Sequence, residues 1–179
     1  MNLPNLISLF RMFMVPLLVW LLISAQYQLA LVVFGFAALS DALDGWLARI
    51  LHKHTELGAH LDPLADKLLL ISTYTTLGLN RLIPTWLVLT VISRDVMILG
   101  GLLLAWFMDK PVAIKPILTS KLTTLGQIIF LIMTLLGLSF VTVPQVAITS
   151  MGYVVFGLTL ISGLAYLRYW FNHMSEVQT

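Results

Sequence analysis

Apolar runs long enough to cross a bilayer follow one another along this chain, separated only by short polar or proline-bearing breaks. A hydrocarbon core about 30 Å thick needs roughly 20 helical residues to span it. Six segments meet that demand: residues 9–25, 29–50, 61–79, 84–107, 118–140 and 146–170. In lipid each backbone N–H and C=O must find its partner within the segment, which makes every such run an α-helix. The composition agrees, with 59% apolar and 10% charged residues against about 45–50% and ~25% in soluble domains. Mean hydropathy is +0.97. An ordinary water-soluble globule and a disordered chain are both excluded. The expected fold is all-α integral membrane, with six transmembrane helices forming a single domain over residues 1–179.

The distribution of Lys and Arg orients the bundle. Arg49, Lys53, Lys110, Lys115, Lys121 and Arg168 fall on one set of connections, and Arg81 alone on the other. The basic side is expected to be cytoplasmic, with both termini there. The apolar run behind Arg11 lacks the basic n-region and small-residue cleavage site of a signal peptide, so it is read as a mature segment. Residues 2–7 are expected near the inner interface. A net charge of +2 is too small for a general nucleic-acid binder. With no cysteine, thiol nucleophiles, disulfides and cysteine-ligated metals are excluded.

Four aspartates between positions 41 and 66 do not suit a passive bundle. Asp41 and Asp44 sit at the cytoplasmic end of the second run, and Asp62 and Asp66 early in the third. A carboxylate at membrane depth costs a few kcal/mol, so it marks a functional site by default. Ion pairing with Arg49 and Lys67 would account for two of the four. At about 100° per residue, Asp41 and Asp44 share a helix face, while Gly58, Asp62 and Asp66 form an i, i+4, i+8 row. Four such charges in one pocket cannot all stay ionised uncompensated. Two divalent cations would balance them, and all-oxygen ligation favours Mg2+ or Mn2+ over zinc. Gly45 would admit a ligand close to the backbone or serve helix packing. Arg49 suits a phosphate or a positive-inside anchor.

Together, Asp41, Asp44, Gly45, Ala48, Arg49, Gly58, Asp62 and Asp66 stand at every fixed position of the signature of the CDP-alcohol phosphatidyltransferases, and the chain resembles that family. The resemblance implies six spans with the signature on the second and third, and an active site on the cytoplasmic side. It also implies a reaction in which an alcohol attacks the phosphatidyl phosphorus of CDP-diacylglycerol and expels CMP. The four aspartates would hold two divalent ions, with Asp66 also accepting the hydroxyl proton. Gly45, Ala48, Arg49 and Gly58 would shape the CDP pocket. A homodimer is implied as well, although no strict Gly-x-x-x-Gly pair locates its interface.

The acceptor alcohol is read from Arg94-Asp95 in the fourth run, which is either a self-contained structural pair or part of a cationic acceptor-phosphate site with Lys121. Leu3-Pro4-Asn5-Leu6 with Arg11, the stretch 61–67, Ile92-Ser93-Arg94-Asp95-Val96-Met97, Lys115-Pro116, and Ser120-Lys121-Leu122-Thr123-Thr124 with Gln127 resemble the cardiolipin synthases of the family. Phosphatidylglycerol is therefore the expected acceptor. Glycerol 3-phosphate is the alternative, because phosphatidylglycerophosphate synthases share several of these segments but usually carry Arg-Glu at positions 94–95. The expected location is a bacterial inner membrane. His52, His54 and His60 read as loop residues rather than a zinc site. Trp86, Trp106, Trp170, Tyr166 and Tyr169 read as interfacial belt residues. An intramembrane prenyltransferase would need other aspartate clusters, and a cation transporter would move ions without releasing CMP.

Overall fold

The computed structural model describes residues 3–51, 56–107, 118–140 and 142–176, with side chains described at 10–40, 65–98, 100, 118–140 and 142–168. The described residues form helices and connections, with no strand among them: α1 (Leu3–Ile23), α2 (Tyr27–Leu51), α3 (Glu56–Leu79), α4 (Thr85–Phe107), α5 (Leu118–Ser139) and α6 (Gln145–Glu176). Each coincides with one apolar run, and the differences lie at the ends. The lead before the first run is already helical from Leu3, with Pro4 in the first turn, where a missing N–H leaves no bond unmade. Helix α3 starts five residues ahead of its run, and α6 continues beyond its own. Hydropathy marks the residues suited to lipid, whereas helical hydrogen bonding continues until a breaker stops it.

Two connections end their helices by the same device. Gln26 N–H bonds to Leu21 O at 2.9 Å and Ala25 N–H to Leu22 O at 3.2 Å, closing α1. Leu82 N–H bonds to Leu77 O at 2.9 Å and Arg81 N–H to Gly78 O at 3.0 Å, closing α3. These paired bonds define the Schellman motif, whose first residue past the cap takes a left-handed conformation. Here that residue is not glycine: Ala25 has φ 55° and Arg81 φ 58°.

The chain divides into two compact units. One holds α1, α2 and α3 with residues 131–139 of α5. In it α1 packs against both α2 and α3. Leu18, Leu21 and Leu22 of α1, Ala30, Phe34 and Ala37 of α2, and Ala65, Leu69, Leu70, Tyr74 and Leu77 of α3 are buried. Their spacings of three and four residues mark one helix face each. The amide of Asn80 reaches Leu22 O at 3.5 Å, adding a donor at the exposed carbonyl end of α1.

The other unit holds α4, residues 118–130 of α5, and α6. Helices α4 and α6 pack together, burying Leu87, Val88, Val91, Arg94 and Asp95 with Val155, Thr159 and Ser162. Gly152 lets the ring of Phe130 come within 3.4 Å of where a Cβ would stand. Trp86 stacks on Tyr153 with centroids 5.5 Å apart and meets Phe156 edge-on at 5.3 Å.

The described residues bury several polar side chains beside the apolar core and leave many large apolar ones exposed. Arg11, Arg94, Asp95, Gln127 and several threonines are buried, while Phe13, Trp20, Phe36, Leu39, Leu79, Leu89, Tyr153 and Leu164 are exposed. Most buried threonines bond their hydroxyls back to a carbonyl four residues earlier, as Thr73 does to Leu69 O at 2.7 Å and Thr159 to Val155 O at 2.7 Å. That satisfies them without water. Helix α5 over Leu118–Ser139 and α6 over Gln145–Arg168 are long and apolar enough to cross a membrane.

Candidate active site

Signature residues lie on the two helices that flank residues 52–55. Asp41, Asp44, Gly45, Ala48 and Arg49 occupy the last turns of α2, and Gly58, Asp62 and Asp66 the first turns of α3. Uninterrupted helix through both stretches keeps the i, i+3 and i, i+4 spacings that put each pair on one face. At about 1.5 Å per residue, all four aspartates stand roughly 9–15 Å along their helices from the connection. Except for Asp66, the side chains of these residues lie outside the described set.

Asp66 pairs with Arg11, whose Nη1 donates to Asp66 Oδ1 across 55 residues of sequence. Arg11 is 1% exposed and the carboxylate side chain 34%. The cation comes from α1, the helix that packs on α3. Of the two cations that the ion-pair reading of the aspartates named, Arg49 has its side chain outside the described residues. Arg11 was legible as part of the opening stretch that resembles the cardiolipin synthases and as an arginine within the first apolar run, a place that calls for a partner.

The donor set at positions 41, 44, 62 and 66 is all carboxylate, which suits a hard divalent cation such as Mg2+ or Mn2+. Asp66, a third exposed at its ion pair, offers an oxygen that a ligand can approach.

In the second unit Arg94 is a hub. Its Nη1 donates to Asp95 Oδ1 at 2.7 Å, and its Nη2 to Ser120 Oγ at 2.6 Å and Ser162 Oγ at 2.7 Å. One guanidinium thus ties α4, α5 and α6 together. The ring of Tyr166 lies 5.8 Å from its central carbon, close enough for a cation–π contact. Tyr166, expected at the membrane interface, packs over Arg94. Lys121 follows Ser120 on α5 and is exposed. A cleft of about 210 Å³ reaches Arg94 between Thr90, Ser93 and Met97 of α4 and Thr159, Leu160 and Gly163 of α6. Gly163 leaves it open, since a Cβ there would meet only Met97 Cε at 3.4 Å and Arg94 Cγ at 3.9 Å. Ser120 was named only within the stretch resembling the cardiolipin synthases, and Ser162 was not singled out, because an isolated serine in an apolar run gives no pattern.

Helices with exposed apolar side chains, buried polar ones and a carboxylate signature on two of them fit a membrane-enzyme class. The family model for CDP-alcohol phosphatidyltransferase matches residues 1–169, and the chain belongs to that family. It is 35% identical over 144 residues to the cardiolipin synthase (CMP-forming) of Homo sapiens, covering 72% of this chain and 48% of that one. To the corresponding protein of Streptomyces coelicolor it is 36% identical over 105 residues, 55% of this chain and 49% of that one. To the CDP-diacylglycerol–glycerol-3-phosphate 3-phosphatidyltransferase of Aquifex aeolicus it is 37% identical over 150 residues, 82% of this chain and 80% of that one. The chain thus spans about half the length of the curated cardiolipin synthases it matches.

Proposed function

We propose that this protein transfers a phosphatidyl group from CDP-diacylglycerol to the hydroxyl of phosphatidylglycerol, giving cardiolipin and CMP. The observation that carries the reading is the complete signature, Asp41 to Asp66, on α2 and α3 within the residues that the family model matches. The acceptor oxygen forms a bond to the phosphatidyl phosphorus, the bond from that phosphorus to CMP breaks, and Asp66 accepts the hydroxyl proton. Asp41, Asp44, Asp62 and Asp66 would hold two divalent ions, Mg2+ or Mn2+. When bound, those ions supply charge neutralisation to the attacking and leaving oxygens. Gly45, Ala48, Arg49 and Gly58 form the CDP side of the site. Arg94 and Lys121 receive the acceptor phosphate.

The cleft at Arg94 supports a lipid acceptor. Its lining includes Leu160, Leu164 and Leu167, all exposed, so a phospholipid can keep its chains in hydrocarbon while its phosphate meets polar side chains. The alternative acceptor is glycerol 3-phosphate. It is favoured by the Aquifex aeolicus relative, of which the chain covers 80%. The apolar length of the six helices and the bias of Lys and Arg support six spans, with termini and active site on the cytoplasmic side of a bacterial inner membrane. Family resemblance supports a homodimer. A cation transporter would bind ions without releasing CMP.

The test is product analysis with purified protein, CDP-diacylglycerol and either acceptor. Cardiolipin and CMP from phosphatidylglycerol are expected. Consumption of glycerol 3-phosphate with phosphatidylglycerol ignored would transfer the assignment to the alternative, and cation flux without CMP release would reject both.

A further inference from the structure

We propose that Arg11 is the positioning residue of Asp66, an inference that rests on the reaction proposed above. Arg11 occupies a fully buried place on a helix whose other buried positions among the described residues, Leu18, Leu21 and Leu22, are leucine. An aliphatic side chain would fill such a place without the several kcal/mol that desolvating a guanidinium costs. Packing of α1 therefore does not call for an arginine.

Its partner Asp66 explains it. The guanidinium crosses from α1 to α3 and meets the last carboxylate of the signature. Asp66 is a third exposed, so packing alone does not fix its two side-chain torsions. A proton acceptor must lie within about 2.6–3.2 Å of the hydroxyl it serves. A planar guanidinium on a buried, rigid stem sets the direction of the carboxylate, which a lysine ammonium, acting as a point charge, does less well. The residue itself touches no reacting atom and acts through Asp66.

The experiment compares Arg11→Lys and Arg11→Gln with the full-length wild type in one micellar assay of CMP release. Folding is followed by gel filtration and thermal unfolding. Arg11→Gln is expected to lower kcat about a hundredfold, the effect of a misplacement near 1 Å, and Arg11→Lys about tenfold. KM for CDP-diacylglycerol and for the acceptor should stay within about threefold, since transition-state alignment rather than substrate binding is lost. Partial recovery by lysine is the signature of positioning. Wild-type kcat per folded molecule in both variants would overturn the proposal. So would loss of folding in both Arg11 variants while Asp66→Asn folds normally, because the role would then be structural. Absence of CMP release by the wild type would instead overturn the proposed reaction, and this inference with it.

Discussion

Arg94 and Asp95 are neighbours in sequence and partners in space, joined at 2.7 Å with side chains 3% and 1% exposed. Adjacent helix positions point about 100° apart and do not normally face each other. The pair forms because the arginine stem is long enough to bring its head back to the carboxylate while also reaching Ser120 and Ser162. Removing one member leaves a buried charge uncompensated, at about 3–5 kcal/mol. Arg94→Met and Asp95→Leu should each lower the unfolding midpoint in detergent markedly. The double variant should be less destabilised than the two single losses added together. Simple additivity would mean that the pair contributes nothing to the fold.

Ala25 holds a left-handed conformation at the end of α1. That conformation costs a side-chain-bearing residue about 1–2 kcal/mol, and glycine's greater unfolded-state freedom returns roughly half of any gain. Ala25→Gly should therefore stabilise the protein by about 0.5–1 kcal/mol, read as a higher unfolding midpoint. Arg81→Gly, at the same place after α3, should act in the same direction. A lower midpoint in both would show that these turns are not held as described.

Turnover should require a divalent metal. Four aspartates on two helices consecutive in the chain carry −4, which two divalent ions would balance. Chelation is expected to abolish CMP release, and added Mg2+ or Mn2+ to restore it. Full turnover by metal-stripped protein in excess chelator would remove the two-ion mechanism.

Asp66→Asn should remove nearly all turnover while CDP-diacylglycerol binding stays measurable. The carboxamide still offers one oxygen to a cation, but it cannot accept the hydroxyl proton. Binding assays run beside CMP release separate the two effects. Near-normal turnover would place the base elsewhere, with Asp62 the next candidate.

Lys121→Ala should raise the acceptor KM about ten- to a hundredfold, the effect of one lost charge-assisted hydrogen bond. KM for CDP-diacylglycerol should change little. Because Lys121 is exposed, the unfolding midpoint should hardly move. An equal loss for both substrates would place this lysine at the diphosphate instead.

The six helices were legible because a run of apolar residues has only one way to satisfy its backbone in lipid. Residues such as Leu29, Val32 and Phe36 of α2 face outward, so hydrophobicity all round the helix reported the solvent rather than the packing. Signature spacing was legible too, since helical geometry carries Asp41 with Asp44 and Asp62 with Asp66 whatever surrounds them. Helix ends were less so: hydropathy is silent on the polar turns at Glu56 and beyond Trp170, where helical bonding continues.

The sequence by itself determined that the chain is built of long apolar helices and which carboxylates share a helix face, because both follow from hydropathy and helical periodicity. Tertiary structure decided which cation meets which carboxylate. The ion pair described at Asp66 is with Arg11, 55 residues away. Arg94 gathers Ser120, Ser162 and Tyr166 from two other helices. Such choices depend on which faces pack together. A buried charge takes the partner that packing brings within reach: among the described residues, Arg11 finds Asp66 on another helix and Arg94 finds Asp95 beside it.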